Sequence, residues 1–103
     1  MIRHIVALRF RPSTPQATKD RLYAELRALS GHIDGILDFH ARPNVSVELP
    51  LVRGFNDVFW FDFRDVAVRD TYLADPVHQA VGGRIVAELE GGADGVFVFD
   101  VAV

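Results

Sequence analysis

Asp57-Val58-Phe59-Trp60-Phe61-Asp62-Phe63 has the side-chain alternation of a β-strand. Asp57, Phe59, Phe61 and Phe63 fall on one face, and Val58, Trp60 and Asp62 on the other. Val96-Phe97-Val98-Phe99 near the C-terminus repeats the pattern, again with apolar groups on both sides. A strand that is greasy on both faces needs cover on both. That requirement shapes everything around it.

Upstream, Ile2 to Phe10 alternates as a first strand, with Ile2, His4, Val6, Leu8 and Phe10 on its more apolar side. Ser13-Thr14-Pro15 reads as a cap and first-turn proline opening a helix. Leu22, Leu26 and Leu29 follow at helical spacing, and Gly31 marks the stop. Ile36 to about Asn44 is a second strand, and Val45 to Arg53, which contains Pro50, reads as loop or strand edge ending at Gly54. Downstream, Asp65 caps a helix reaching Ala74. Asp75-Pro76 turns the chain into another helix ending near Glu90, Gly91 to Gly95 is a turn, and Val96 to Val101 is the last strand. The order β-α-β-β-α-β predicts an α+β, ferredoxin-like antiparallel sheet with its helices on one face.

Helices cover one side of such a sheet. The other would expose Val58 and Trp60 in a patch larger than a soluble monomer tolerates, so a second copy packed sheet to sheet is the simplest cover. A homodimer through the sheet face is therefore expected, with Arg3, Arg9, Asp62 and Arg64 available for ion pairs at its rim.

Length and composition bound the rest. The 103 residues make a single domain, 1–103, and half of them are hydrophobic, enough for an ordered core. Net charge is −3 with the signs interspersed, which argues against a nucleic-acid partner. No apolar run approaches a membrane span, and Met1-Ile2-Arg3-His4 runs into strand pattern rather than a signal peptide, so a cytoplasmic protein is expected. The absence of cysteine excludes disulfides, thiolate zinc sites and thiol catalysis together. No cofactor is called for, because histidine pairs at metal-ligand spacing, serine-hydrolase motifs and phosphate loops are all missing.

Chemistry concentrates at Tyr72-Leu73-Ala74-Asp75-Pro76-Val77-His78. A phenol and an imidazole stand on either side of a rigid corner. His78 shares a helix face with Gly82, Ile85 and Leu89, and lies near a helix N-terminus that disfavours imidazolium. A neutral, partly buried imidazole is a competent general base, and equally a core histidine with satisfied nitrogens. Tyr72 is either a core tyrosine or a hydrogen-bond donor to substrate. His4 and Asp57 point to the same side of the sheet. An aspartate among Phe59, Phe61 and Phe63 needs a partner, with His4 or His78 the natural choice, unless it sits in water at the strand mouth. Gly82-Gly83 inside a helix implies close packing or room for a ligand. His32 and His40 carry less weight: His32 follows a helix stop, and His40 shares a strand face with Asp38 and Arg42.

Taken with Met1-Ile2-Arg3-His4-Ile5-Val6 and the closing Val98-Phe99-Asp100, these residues resemble the stress-responsive A/B barrel (Dabb) family over essentially the whole chain. The resemblance implies a dimeric α+β barrel in which two ferredoxin-like sheets meet. In one plant branch, the olivetolic acid cyclase type, the tyrosine and histidine matching Tyr72 and His78 close a linear polyketide, and the histidine matching His4 lines the cavity. Asp57 stands where that branch has another histidine, so the charge of the cavity differs. The resemblance also implies a cation site of backbone carbonyls, here those of Ser30, Ile33 and Ile36.

Three functions fit. The preferred one binds an apolar, carbonyl-bearing small molecule in a pocket between helices and sheet, lined by His4, Asp57, Phe59, Phe61, Gly82 and Ile85. The second is a cyclase-like or monooxygenase-like enzyme without a cofactor, with His78 as base and Tyr72 as donor. The third is a stress-linked structural module whose pocket is filled by Phe59, Phe61 and Leu89. Fold alone does not choose among them.

Overall fold

A computed structural model describes residues 1–103. Four strands, β1 (Ile2–Leu8), β2 (Ile36–Pro43), β3 (Asp57–Phe63) and β4 (Val96–Ala102), form one sheet in the order β2-β3-β1-β4. Every neighbouring pair is antiparallel. The helices are α1 (Gln16–Ala28), α2 (Leu49–Val52), α3 (Val66–Ala74) and α4 (Pro76–Val86). This is the ferredoxin-like α+β fold.

Register aligns the side chains into rows. His4 of β1 lies opposite Phe61 of β3 and Asp100 of β4, and Phe61 lies opposite Phe39 of β2. One row along, Ile5 lies opposite Trp60 and Phe99, and Trp60 opposite His40. The first row faces the helices, the second the open side. Phe59, Phe61 and Phe63 of β3 are buried beneath Leu22 and Leu26 of α1, Val68 and Tyr72 of α3, and Val81 and Ile85 of α4. Phe61 and Phe63 stack at 5.5 Å and 9°, and Phe61 meets Phe39 at 4.8 Å. Each such interlocked ring buries a large apolar area in this core.

Several sequence expectations shift locally. α1 is capped by Pro15 itself with no side-chain bond to the helix. The Thr14 hydroxyl instead reaches the Glu88 carbonyl at 3.2 Å, because the adjoining chain beyond α4 offers an acceptor. The stretch 45–53, expected as loop or strand edge, contains the short helix α2, with Pro50 accommodated in its first turn, where no N–H is needed. α4 ends at Val86 rather than near Glu90. Of the expected face His78, Gly82, Ile85 and Leu89, the structure buries Ile85 and Leu89, adds Val81 to them, and leaves His78 and Gly82 half-buried at the margin.

Asp65 caps α3 as expected, its carboxylate accepting from the Val68 amide at 3.0 Å. Gly35 is required by geometry: it has φ +94°, and a Cβ there would come within 2.5 Å of Val68. Gly82 and Gly83 are different, since a Cβ at either would meet nothing within 4 Å. Close helix–sheet approach does not explain them.

On the open side, Arg3 binds Asp62 through two bonds of 2.8 and 3.2 Å, the ion pair expected of those residues. Arg9 instead donates to the Arg53 and Asp94 carbonyls, and Arg64 lies 3.5 Å from Asp34 and from Asp65. Phe97, Phe99 and Val101 of β4 remain exposed on this side.

Candidate functional site

The Asp75-Pro76 corner aims His78. One Asp75 carboxylate oxygen accepts from the Val77 and His78 amides, at 2.9 and 3.0 Å, capping α4. The other lies 2.7 Å from Nε2 of His32. These contacts, the His78 amide foremost, hold the Asp75 carboxyl below its usual range. His32 is thus a partner of the corner, a role its sequence context did not suggest.

From the corner, the His78 ring lies back over Tyr72, with centroids 3.7 Å apart and planes inclined by 29°. Burial lowers the His78 pKa from its ordinary value. Nearby His4 adds to this, while the Tyr72 carbonyl and Asp75 oppose it. The ring is therefore held towards its neutral form. Its Nδ1 is buried and has no hydrogen-bond partner. Tyr72 is 1% exposed, and burial pushes its hydroxyl well above the ordinary tyrosine range, so the phenol keeps its proton.

Beneath Tyr72, His4 is 5% exposed and makes an edge contact with the phenol ring at 5.4 Å. Its Nδ1 meets an Asp100 oxygen at 2.7 Å, and the second Asp100 oxygen takes Arg69 Nη1 at 3.3 Å. A carboxylate accepts only, so Nδ1 donates and, in the neutral ring, Nε2 is left as the acceptor. Arg69, Asp100, His4, Tyr72 and His78 form one chain of contacts from the rim of β4 to the start of α4.

Asp57 is not part of it. The expected pairing with His4 or His78 is wrong: the Asp57 carboxylate binds Lys19 Nζ at 3.0 Å. Register is the reason. Asp57 lies opposite Leu8 while His4 lies opposite Phe61, so four residues of strand, about 13 Å, separate them. The two residues that sequence reasoning missed are Asp100 and Arg69. Alternation groups Asp100 with Val96 and Val98, and the β1–β4 register is what places that row on the helix side and Asp100 opposite His4.

Nor do Phe59, Phe61 and Ile85 line an open pocket, for they are packed in the core, with Phe61 4.9 Å from Tyr72. Gly82, one turn beyond His78, does leave open space at its surface. The main concavity lies across the sheet. A space of about 840 Å³ is walled by Ile5, Val58, Trp60, Phe97 and Phe99 and roofed by the 44–55 segment. His40 stacks on Trp60 beside it at 5.0 Å and pairs with Asp38 at 2.8 Å. Ser30 ends up in a 3-10 turn after α1, Ile33 is buried and Ile36 opens β2. The Leu29 and Gly35 carbonyls of this turn accept backbone bonds, whereas those of Ser30 and Ile33 take none from the loop. No helix is long and apolar enough to cross a membrane.

Comparison with known proteins bears on the whole chain. A dimeric ferredoxin-like protein of unknown function from Jannaschia sp. CCS1 is 30% identical, with a TM-score of 0.88 over 99% of this chain and 98% of that one. A protein from Arabidopsis thaliana is 22% identical, with a TM-score of 0.87 over 100% and 95%. A hydroxynitrile lyase from Passiflora edulis is 16% identical, with a TM-score of 0.82 over 99% and 92%. None of the curated proteins compared matches the chain. The profile of one family spans residues 2–103, and by that match the chain belongs to the stress responsive A/B barrel domain family, Dabb.

Proposed function

We propose that this chain is a homodimeric A/B-barrel protein that binds a small, apolar, carbonyl-bearing molecule against Tyr72, His78 and His4. One observation carries the reading: His78 Nδ1 is buried with no well-formed hydrogen bond, although the Tyr72 carbonyl acts on the ring, and burial shifts that ring towards its neutral form. An unpaired buried polar atom costs about 1–3 kcal/mol, and a ligand group that paired with it would recover part of that. The open space over Gly82 gives such a ligand an approach along α4. Dimerisation is supported by the exposed apolar residues of β4 and by the dimeric description of the Jannaschia relative.

Titration with acetophenone, followed by NMR of the imidazoles, tests the site. His78 and His4 signals should move while that of His40, across the sheet, stays fixed. Shifts confined to His40 would put the ligand on the other side of the sheet and refute the assignment.

The same geometry favours a second reading, in which binding leads to proton transfer. His78 takes a proton from the carbon next to the carbonyl, the C–H electron pair moves into the enolate, and the Tyr72 hydroxyl donates a hydrogen bond to the enolate oxygen. His4, oriented by Asp100, stands behind Tyr72. Solvent deuterium should enter the α-carbon of acetophenone faster with wild type than with His78→Ala; equal rates would remove the base. A cation, if the family's site is used, would be held by the Ser30, Ile33 and Ile36 carbonyls. It would supply structural charge at the turn and no chemistry at His78.

A further inference from the structure

The 44–55 segment is an ordered arm. Asn44 anchors it through its amide to the Asn56 carbonyl at 2.8 Å and through its side chain to the Phe55 carbonyl at 2.9 Å. Within it, the Ser46 amide donates to Asn44 Oδ1 and the Glu48 amide to the Ser46 hydroxyl, at 2.9 and 3.1 Å. The arm has two sides. Val45, Leu51 and Val52 face the 840 Å³ chamber over their own sheet. Val47 and Leu49 do not line it, and are 90% and 73% exposed. An internally bonded segment that holds four aliphatic side chains largely in water, with Val45 and Leu51 at 84% and 65% exposure on the chamber side, lacks their cover.

The same face provides that cover if it meets a second copy of itself. It carries a hole, the chamber whose walls include Phe97 and Phe99, at 57% and 44% exposure, and it carries the knobs, Val47 and Leu49. A two-fold axis gives each chain both roles. Charge agrees with self-pairing: Arg3, Arg42 and Arg53 share the face with Asp38, Asp62 and Glu48, so it is no uniform basic surface for an anionic membrane.

We infer that in the dimer each arm inserts Val47 and Leu49 into the mouth of the partner's chamber, so that each chamber is walled by both copies. This rests on the dimer reading above and goes beyond it, because it names the segment that crosses.

The chain has one tryptophan, Trp60 in the chamber wall, and no cysteine. A nitroxide on Val47→Cys, in a copy also carrying Trp60→Phe, therefore reports on the partner's Trp60 alone. After subunit exchange with unlabelled protein, Trp60 emission should fall in proportion to the mixed dimer formed, and a label at Arg21→Cys on the helix layer should leave it unchanged. Separately, Val47→Asp with Leu49→Asp should weaken dimerisation at least tenfold while the circular dichroism spectrum is retained. A stable dimer by sedimentation, with neither quenching nor weakening, overturns arm insertion and leaves the dimer standing. A monomer by sedimentation overturns both.

Discussion

Replacing Gly82 and Gly83 by alanine separates the needs of the fold from the needs of a ligand. Both lie inside α4, where glycine costs about 0.8–1 kcal/mol relative to alanine through backbone entropy. A methyl group at either would touch nothing within 4 Å, so no steric penalty opposes the gain. Each substitution should therefore stabilise by about 0.8–1 kcal/mol, and the pair by about twice that. Unfolding entropy of about 2.1 cal/mol/K per residue gives about 0.2 kcal/mol/K for a chain of 103 residues. Each alanine should thus raise Tm by about 4–5 °C, measured by calorimetry at one protomer concentration. The positions should differ in binding. Gly83 is exposed on the far side of the turn, and its alanine should leave acetophenone affinity unchanged. Gly82 borders His78, and its alanine should stabilise the fold while weakening binding several-fold. A Tm that falls in either variant would refute the entropy argument. Equal affinity in both would refute a ligand path over Gly82.

Other outcomes follow from the same contacts. Gly35→Ala should destabilise by at least about 1 kcal/mol in urea unfolding, because it combines a positive φ with a clash against buried Val68; an unchanged midpoint would mean that the β2 entrance relaxes freely. His78 should make stability depend on pH. The unfolded imidazole takes up a proton near pH 6.5, and the folded one only at lower pH, so its contribution is complete above about 6.5 and is lost as pH falls below it. Unfolding free energies at pH 7.5 and 5.5 should accordingly differ more in wild type than in His78→Gln, and parallel slopes would contradict the burial argument. Lys19→Met should cost about 1–3 kcal/mol by leaving the largely buried Asp57 carboxylate without its cation; Lys19→Met with Asp57→Leu should recover much of the loss in thermal melts.

What could be read beforehand was whatever is decided within a few residues. β3 runs from Asp57 to Phe63 as its alternation demands, and Asp65 and Asp75 cap α3 and α4 as short-range chemistry requires. The both-sided greasiness of β4 is real, although in the single protomer it is exposed rather than covered. Tyr72, His78 and His4 do come together. Asp57 went astray because its partner depends on how β1 slides against β3, a quantity that no local pattern encodes. Asp100 was overlooked for the same reason at β4. The arm's apolar outer side escaped notice because Pro50 reads as a strand breaker, whereas here it lies in the first turn of α2.

Asp75 grips both the start of α4 and His32. His32 belongs to the same bend as Ser30 and Ile33, a stretch that never touches Tyr72 in sequence. That single carboxylate is a latch between two loops, and the bearing of the His78 imidazole is set partly from a bend some forty positions away in the chain. Swapping residues in the bend is therefore a way to re-aim the His78 imidazole without altering any group packed against it.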